Sequence, residues 1–365
     1  MSGRVIVVGS VNIDLVARVP HLPHPGETVT GGSYDRHHGG KGGNQAVAAA
    51  RLRRPTLFIG AVGDDAFEAE ARRALATERV DVSMVALLPG QATGVALILV
   101  DANGENQIVV IPGANGAIES GYARESLSRL GPLNGDVVLL CNEVPLHVVR
   151  EALTCARAAG ATTILNPAPA TGIDRSILAL ADIITPNRNE LSMLLHTEAH
   201  RTGRRTDAGL EAPARARILL EPGPEGPGVR KAVIVTLGAA GALVLERVGA
   251  GTGKERVPAG SREADPALAA ASTGSADRAA SSAAPADESA GVRSWEVPGE
   301  RVSTLDSTGA GDAFNGALAA AIAEGRPLAE AVHRAVAAGA LATTRVGARE
   351  GMPTAAELEE FLATR

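Results

Sequence analysis

The chain is poor in aromatic residues: Phe, Tyr and Trp make up 2% of its 365 residues. A core therefore has to be built from Ala, Val, Leu and Ile. Cysteine is nearly absent. Cys141 and Cys155 stand apart, without the spacing of a metal site, and a reduced, cytoplasmic setting is expected. There is no block of basic residues, and the formal net charge is −6, which argues against nucleic acid as the main partner. No apolar run reaches the roughly 20 residues needed to cross a bilayer. The run Val5-Ile6-Val7-Val8 is also too short for a signal peptide. The 45% hydrophobic content suffices for a sizeable core in one large α/β domain or two.

Against this background one stretch stands out, Thr304-Leu305-Asp306-Ser307-Thr308-Gly309-Ala310-Gly311-Asp312. A strand-like lead is expected to run into a small-residue turn and then into an alanine-rich helix. The first N–H groups of a helix lack internal partners and the dipole makes that end positive, so small residues there can admit an anion. Asp312 would stand beside that anion. An anion hole next to a carboxylate suits phosphoryl transfer, although an Asp in a first helical turn is also favoured by the dipole alone.

Elsewhere the chain alternates strands and helices, which predicts a mostly parallel sheet covered by helices. The strand Arg4–Val8 leads to Asn12 and Asp14, and another glycine turn, Gly39-Gly40-Lys41-Gly42-Gly43-Asn44, feeds an apolar helix. Neither Gly40-Lys41-Gly42 nor Gly253-Lys254-Glu255 has the Ser or Thr of a P-loop. Residues 23–33 read as a turn and a short β-segment, and 64–78 as a helix. Residues 94–100 and 107–111 read as a hairpin turning at Asn103-Gly104. Asn12, Glu143, Asn187 and Thr236 follow strand ends, where ligands bind in open α/β sheets. Residues 249–291 are mostly Ala, Ser, Gly, Asp and Glu and read as a mobile, disordered insertion. The pairs His37-His38 and His196/His200 lack a third metal ligand nearby and read as solvated or structural.

These motifs appear in a familiar order: Asn12-Ile13-Asp14, Gly26-Glu27-Thr28-Val29-Thr30-Gly31, 39–46, Asn166-Pro167-Ala168-Pro169, Thr185-Pro186-Asn187 with Glu190, and 306–312. Together they resemble the ribokinase-type (PfkB) carbohydrate kinases over nearly the whole chain. The resemblance implies a ribokinase-like three-layer α/β/α sandwich with a mostly parallel central sheet. Residues 1–13, 36–93 and 112–365 would form the main domain, and 14–35 with 94–111 a β lid. It implies ATP-dependent phosphorylation of D-ribose at O5, with Asp312 as general base and Gly309, Ala310 and Gly311 as the anion hole. Asn12, Ile13, Asp14, Gly40, Lys41, Gly42, Gly43, Asn44 and Glu143 would line the sugar site, together with Asp312. Asn187, Thr236, Leu237, Gly238, Ala239, Ala240, Gly241, Gly311, Asp312 and Val336 would hold ATP.

The resemblance also implies magnesium near Glu190, through water, and a potassium ion at Asp306, Thr308, Ala342, Arg345, Gly347 and Gly351. A homodimer through the lid is implied as well. Three residues depart from the family pattern. Gly351 stands where a serine oxygen often meets the cation, Val336 makes an adenine contact apolar, and Gly43 replaces a frequent alanine and is expected to loosen the sugar loop. The alternatives are a kinase for another sugar or nucleoside, and a non-catalytic sugar- or nucleotide-binding regulator. An intact Asp312 argues against the last.

Overall fold

The structure, a computed structural model, describes residues 3–202, 211–223, 227–248, 262–263 and 291–364. The chain divides into two compact units, Met1–Pro169 with Arg301–Arg365, and Ala170–Glu300.

In the first unit, strand β1 (Val5–Val8) is followed by β2 (Asn12–Arg18), β3 (Ser33–Gly39), helix α1 (Lys41–Arg51) and β4 (Thr56–Gly63). Next come α2 (Glu68–Thr77), β5 (Val80–Leu88), and the hairpin β6 (Gly94–Val100) and β7 (Asn106–Ile111). Then follow α3 (Tyr122–Arg129), β8 (Val137–Cys141), α4 (Leu146–Ala158) and β9 (Thr162–Asn166). Strands β9, β8, β1, β4 and β5 lie side by side in that order, all parallel. Every residue of β1, β4 and β8 is buried. Such unbroken burial requires helices on both faces, which is why these strands are continuous apolar runs without alternation.

A separate four-stranded sheet has the order β3-β2-β6-β7. Its hairpin turns where expected, with the Asp101 carboxylate accepting from the amides of Asn103 and Glu105 and Gly104 at φ 85°. Asn12 opens β2 opposite Gly39, and Asp14 pairs with His37.

The second unit holds α5 (Arg175–Leu178), β10 (Ile183–Ile184), α6 (Arg188–Thr202), α7 (Ala212–Leu220), β11 (Ala232–Thr236), β12 (Gly241–Arg247), β13 (Arg262–Glu263) and β14 (Val292–Pro298). Here β10 and β11 are parallel, while β12, β14 and β13 add antiparallel. The chain then returns to the first unit as α8 (Ala310–Ala323), α9 (Leu328–Ala342), α10 (Ala348–Gly351) and α11 (Ala355–Ala363). Thr354 caps α11 in a reciprocal box with Glu357.

Three expectations change. No strand occurs in 23–32; β3 begins only at Ser33. Helix α2 starts at Glu68 rather than at Asp64, because the Asp65 carboxylate is engaged by Thr93 and the Phe67 amide. The lead into the 304–312 stretch is a loop, not a strand. Its Leu305 and Asp306 amides bond the Thr343 carbonyl, so α9 sets its path instead of a neighbouring strand. Strands β5 and β14 and helix α3 had no counterpart in the sequence reading. The 249–291 insertion falls outside the described residues except for the short strand β13 and Gly291.

Helices α1 and α8 meet through small residues. A Cβ built on Gly316 would lie 2.5 Å from Ala48 Cβ and 2.6 Å from the Gln45 carbonyl oxygen. Backbone cannot yield as a side-chain tip can. Gly316→Ala is expected to force the two helices apart and to cost about 1–3 kcal/mol, the usual scale of overpacking, read as a lowered midpoint in thermal unfolding.

Candidate active site

The site is built where α1 and α8 both begin. Asp312 sits in the first turn of α8 and is 7% exposed. Its two oxygens accept from neighbouring residues of α1: Asn44 Nδ2 at 3.0 Å and Gln45 Nε2 at 3.1 Å. Burial pushes the Asp312 carboxyl up, while the Lys41 charge and these two amides pull it down. A raised carboxylate is a stronger base when it ionises, as proton abstraction needs. The same Gln45 nitrogen also reaches Asn166 Oδ1 at 3.1 Å, so the end of β9 fixes the amide that faces Asp312.

Gly309 begins α8 at φ 77°, and a Cβ there would lie 2.9 Å from the Ala348 backbone; only glycine fits. The Ala310 amide bonds the Ser307 carbonyl at 3.2 Å, closing the turn. Around Gly311 a Cβ would meet nothing within 4 Å, so the mouth of the helix is open at that residue.

At the first residue of α1, Glu143 accepts from the Lys41 amide at 3.0 Å and also from the Ser10 hydroxyl at 2.5 Å. The carboxylate thus caps the positive end of α1. Cys141 lies beneath, 3.9 Å from Ser10 Oγ. Its burial pushes the thiol up to about 11, which rules it out as a nucleophile at neutral pH. Asn12 is held by Asn115, whose Nδ2 donates to Asn12 Oδ1 at 2.8 Å and to the Val11 carbonyl at 3.0 Å, while its Oδ1 accepts from the Val11 amide at 3.0 Å. Burial raises Asp14 to about 6, opposed by Arg349 and reinforced by Glu143. Asn12, Asp14, 40–44, Glu143 and Asp312 thus all belong to one unit. Ile13 is fully buried and belongs to the core behind them.

The expected cation ligands also lie in this unit. Asp306 accepts from the Thr308 amide and hydroxyl at 2.9 and 2.7 Å and from the Gly347 amide at 2.9 Å. These bonds hold its carboxyl below the usual range, against the effect of burial. An ionised carboxylate whose own backbone amide meets the Thr343 carbonyl offers oxygen donors of the kind hard cations prefer, so the residue types fit such an ion. Gly351 cannot be read as a vacant serine position. A Cβ there would lie 2.3 Å from the Ala342 carbonyl oxygen.

In the second unit, Asn187 and Glu190 cap α6 reciprocally. The Asn187 amide donates to Glu190 Oε2 and the Glu190 amide to Asn187 Oδ1, both at 2.8 Å. The Asn-x-x-Glu element is therefore also a capping box. Asn187 bridges to Thr236, from which 237–241 turns back into β12, with Gly238 and Gly241 at positive φ. Val336, on α9 of the first unit, is 7% exposed.

Sequence reasoning gave no role to Ser10, Gln45, Asn115, Asn166 or Arg349. Gln45 and Asn166 stood inside quoted motifs, which was signal enough to find them. Nothing local marked Asn115 or Arg349. Arg349 is 5% exposed and donates from Nε to Asn44 Oδ1 at 3.0 Å and from Nη2 to the Gly39 carbonyl at 2.9 Å. Gly43 does not loosen the loop as expected, since its missing methyl is replaced by the Arg349 guanidinium, 2.5 Å from where a Cβ would stand.

A model of the family described as pfkB family carbohydrate kinase matches residues 2–264 and 273–355. The chain belongs to the PfkB family of carbohydrate kinases. It is 33% identical to a ribokinase of Haemophilus influenzae over 99% of both chains. Its structure resembles that of a ribokinase from Thermotoga maritima, with a TM-score of 0.75, 30% identity and 99% of each chain covered. It also resembles an Arabidopsis thaliana ribokinase complexed with ribose and ATP, with a TM-score of 0.72, 25% identity and 99% of each chain covered. The family match is interrupted at 265–272, within the low-complexity stretch.

For Asp14 the structure makes a direct prediction. Its carboxyl signal in an NMR titration should have a midpoint near pH 6, protonated below and ionised above. A midpoint near 4 would show a solvated group.

Proposed function

We propose that the chain is a ribokinase, transferring the γ-phosphoryl group of ATP to O5 of D-ribose to give D-ribose 5-phosphate and ADP. The observation that carries this reading is the buried Asp312 carboxylate. It is held by two amides of the sugar loop at the open N-terminus of α8. The full-length likeness to ribokinases, one of them complexed with ribose and ATP, supports it.

In this mechanism Asn12, Asp14, Asn44 and Glu143 bind the sugar hydroxyls. Buried polar groups of this kind penalise a sugar that leaves them unmatched. Residues 40–43 carry the loop around the ring. Asp312 takes the proton from O5 as that oxygen attacks, and amides at 309–311 stabilise the charge on the transferred group. For the nucleotide, the family pattern assigns Asn187 and 236–241 in the second unit and Gly311, Asp312 and Val336 in the first. Magnesium near Glu190 would neutralise phosphate charge, and a potassium ion at Asp306, Thr308, Ala342, Arg345 and Gly347 would support the anion hole electrostatically. Gly351 contributes no side-chain oxygen to that ion.

The four-stranded sheet would act as a lid over the sugar and as a dimer contact. All residues of β7 are exposed, among them Ile108, Val109, Val110 and Ile111, with Leu97 exposed on neighbouring β6 and Tyr34 on β3 at the other edge of the sheet. Apolar exposure on that scale favours a second copy as partner. Cys141 and Cys155 are both free, which supports a cytoplasmic setting. No helix among the described residues is long and apolar enough to cross a membrane.

ADP formation measured with ribose, 2-deoxyribose, other pentoses and nucleosides tests the assignment. Ribose should give the highest kcat/KM, and absence of ribose-dependent turnover with magnesium and potassium present would refute it. Asp312→Asn should leave ribose binding nearly intact and reduce kcat by at least about 10²-fold, the scale of general-base catalysis; near-normal turnover would remove Asp312 from that role. With Asp14 ionising near 6 and Asp312 also raised, kcat/KM should fall as pH drops through about 6, since both groups act ionised. A flat profile down to pH 4.5 would contradict this.

A further inference from the structure

Arg349 brings a charge into the interior beside the catalytic loop, and the proposed reaction does not use it. Its Nε donates to Asn44 Oδ1 at 3.0 Å. The two ends of the Asn44 amide are therefore distinguished. The oxygen faces a group that can only donate, and the nitrogen is left to face Asp312 Oδ2 at 3.0 Å. Were the amide reversed, its NH₂ would meet the guanidinium and its oxygen would meet a carboxylate. The second donor, Nη2, is anchored on the Gly39 carbonyl at the end of β3. Nη1 is buried without a hydrogen-bond partner.

The guanidinium can lie there because residue 43 has no side chain. A Cβ on Gly43 would stand 2.5 Å from Nη2 and 3.6 Å from Cζ, with Leu75 Cδ2 also at 3.6 Å. Leu75 is fully buried, so the slot has a fixed wall on that side.

We propose that Arg349 is a positioning residue for phosphoryl transfer, acting through Asn44 on Asp312, and that Gly43 and Arg349 form a matched pair in which the glycine is the slot for the guanidinium. The proposal rests on the reading of Asp312 as the base. It makes the identity of residue 349 depend on residue 43. An alanine at 43 requires a side chain at 349 that ends where Nε now lies. Glutamine meets that requirement: its amide nitrogen falls at the position of Nε and can still donate to Asn44, and it has nothing where Nη2 stands.

The test is a set of variants in the full-length protein, assayed for ribose-dependent ADP formation well below their unfolding midpoints. Arg349→Met keeps the bulk but removes the donors. It should lower kcat/KM about tenfold or more, the scale of one hydrogen bond from a charged donor. Arg349→Gln should stay within about threefold of the parent. Gly43→Ala alone should lose about tenfold by displacing the guanidinium, and adding Arg349→Gln should restore it to the level of Arg349→Gln alone. A purely structural arginine would not separate glutamine from methionine in this way. Equal loss in both replacements, full activity of Arg349→Met, or multiplied losses in the double variant would overturn the proposal.

The thermal midpoints of the same four proteins of the Gly43/Arg349→Gln cycle give a reading independent of turnover. If the parent protein shows no ribose-dependent activity, the reading of Asp312 falls. Non-additive midpoints would then still support the shared slot, and additive midpoints would refute it.

Discussion

The site depends on one constraint: an ionisable carboxylate, Asp312, placed where water scarcely reaches. Burial of an unpaired charge is costly, and the chain offsets it with two amides from consecutive residues of α1, the helix dipole of α8 and the nearby charge of Lys41. Asn44 and Gln45 project from one turn of one helix and grip both carboxylate oxygens. That arrangement explains why α1 and α8 must approach so closely, and why their contact is made of alanine and glycine rather than larger apolar residues. The scarcity of aromatics noted in the sequence finds its counterpart here, in a helix pair whose spacing is set by Gly316 and Ala48.

The amides are themselves constrained. Asn166 at the end of β9 orients Gln45, and Arg349 from the C-terminal region orients Asn44. Asn115 does the same for Asn12, and Ser10 for Glu143. Asn12, Asn44 and Glu143, three of the groups expected to touch the sugar, are thus each held by a partner distant in sequence, so their geometry exists before any ligand arrives. Such preorganisation is what makes polar groups effective in a transition state. The same loop of 342–351 that supplies Arg349 also lies against Asp306, which links the sugar side and the proposed cation side through a few residues.

Local pattern made much of this readable. The glycine-turn–helix sequences announced α1 and α8, and Asn103-Gly104 announced the hairpin. These features depend on neighbours within a few positions. The loop before α8 was misread as strand-like because its path is set by the Thr343 carbonyl, almost 40 residues on. Helix α2 was expected to begin at Asp64, but the carboxylate of the next residue, Asp65, is taken up by Thr93, and the helix starts at Glu68. Gly43 looked like a loosened version of an alanine, a reasonable inference until the occupant of the space is known.

The sequence by itself determined the fold class, the two helix mouths and the order of motifs that places the chain among the PfkB carbohydrate kinases. The first two rest on periodicity and turn chemistry, and the third on the resemblance of the motifs, in their order, to that family. Only the tertiary structure decided which amides hold Asp312, that residue 351 has no room for a side chain, and that Arg349 fills the space left at Gly43. Those facts concern contacts between residues up to about 300 positions apart. Hydrogen bonds and excluded volume act through space, and one sequence carries no local mark of which distant side chain will come to occupy a given gap.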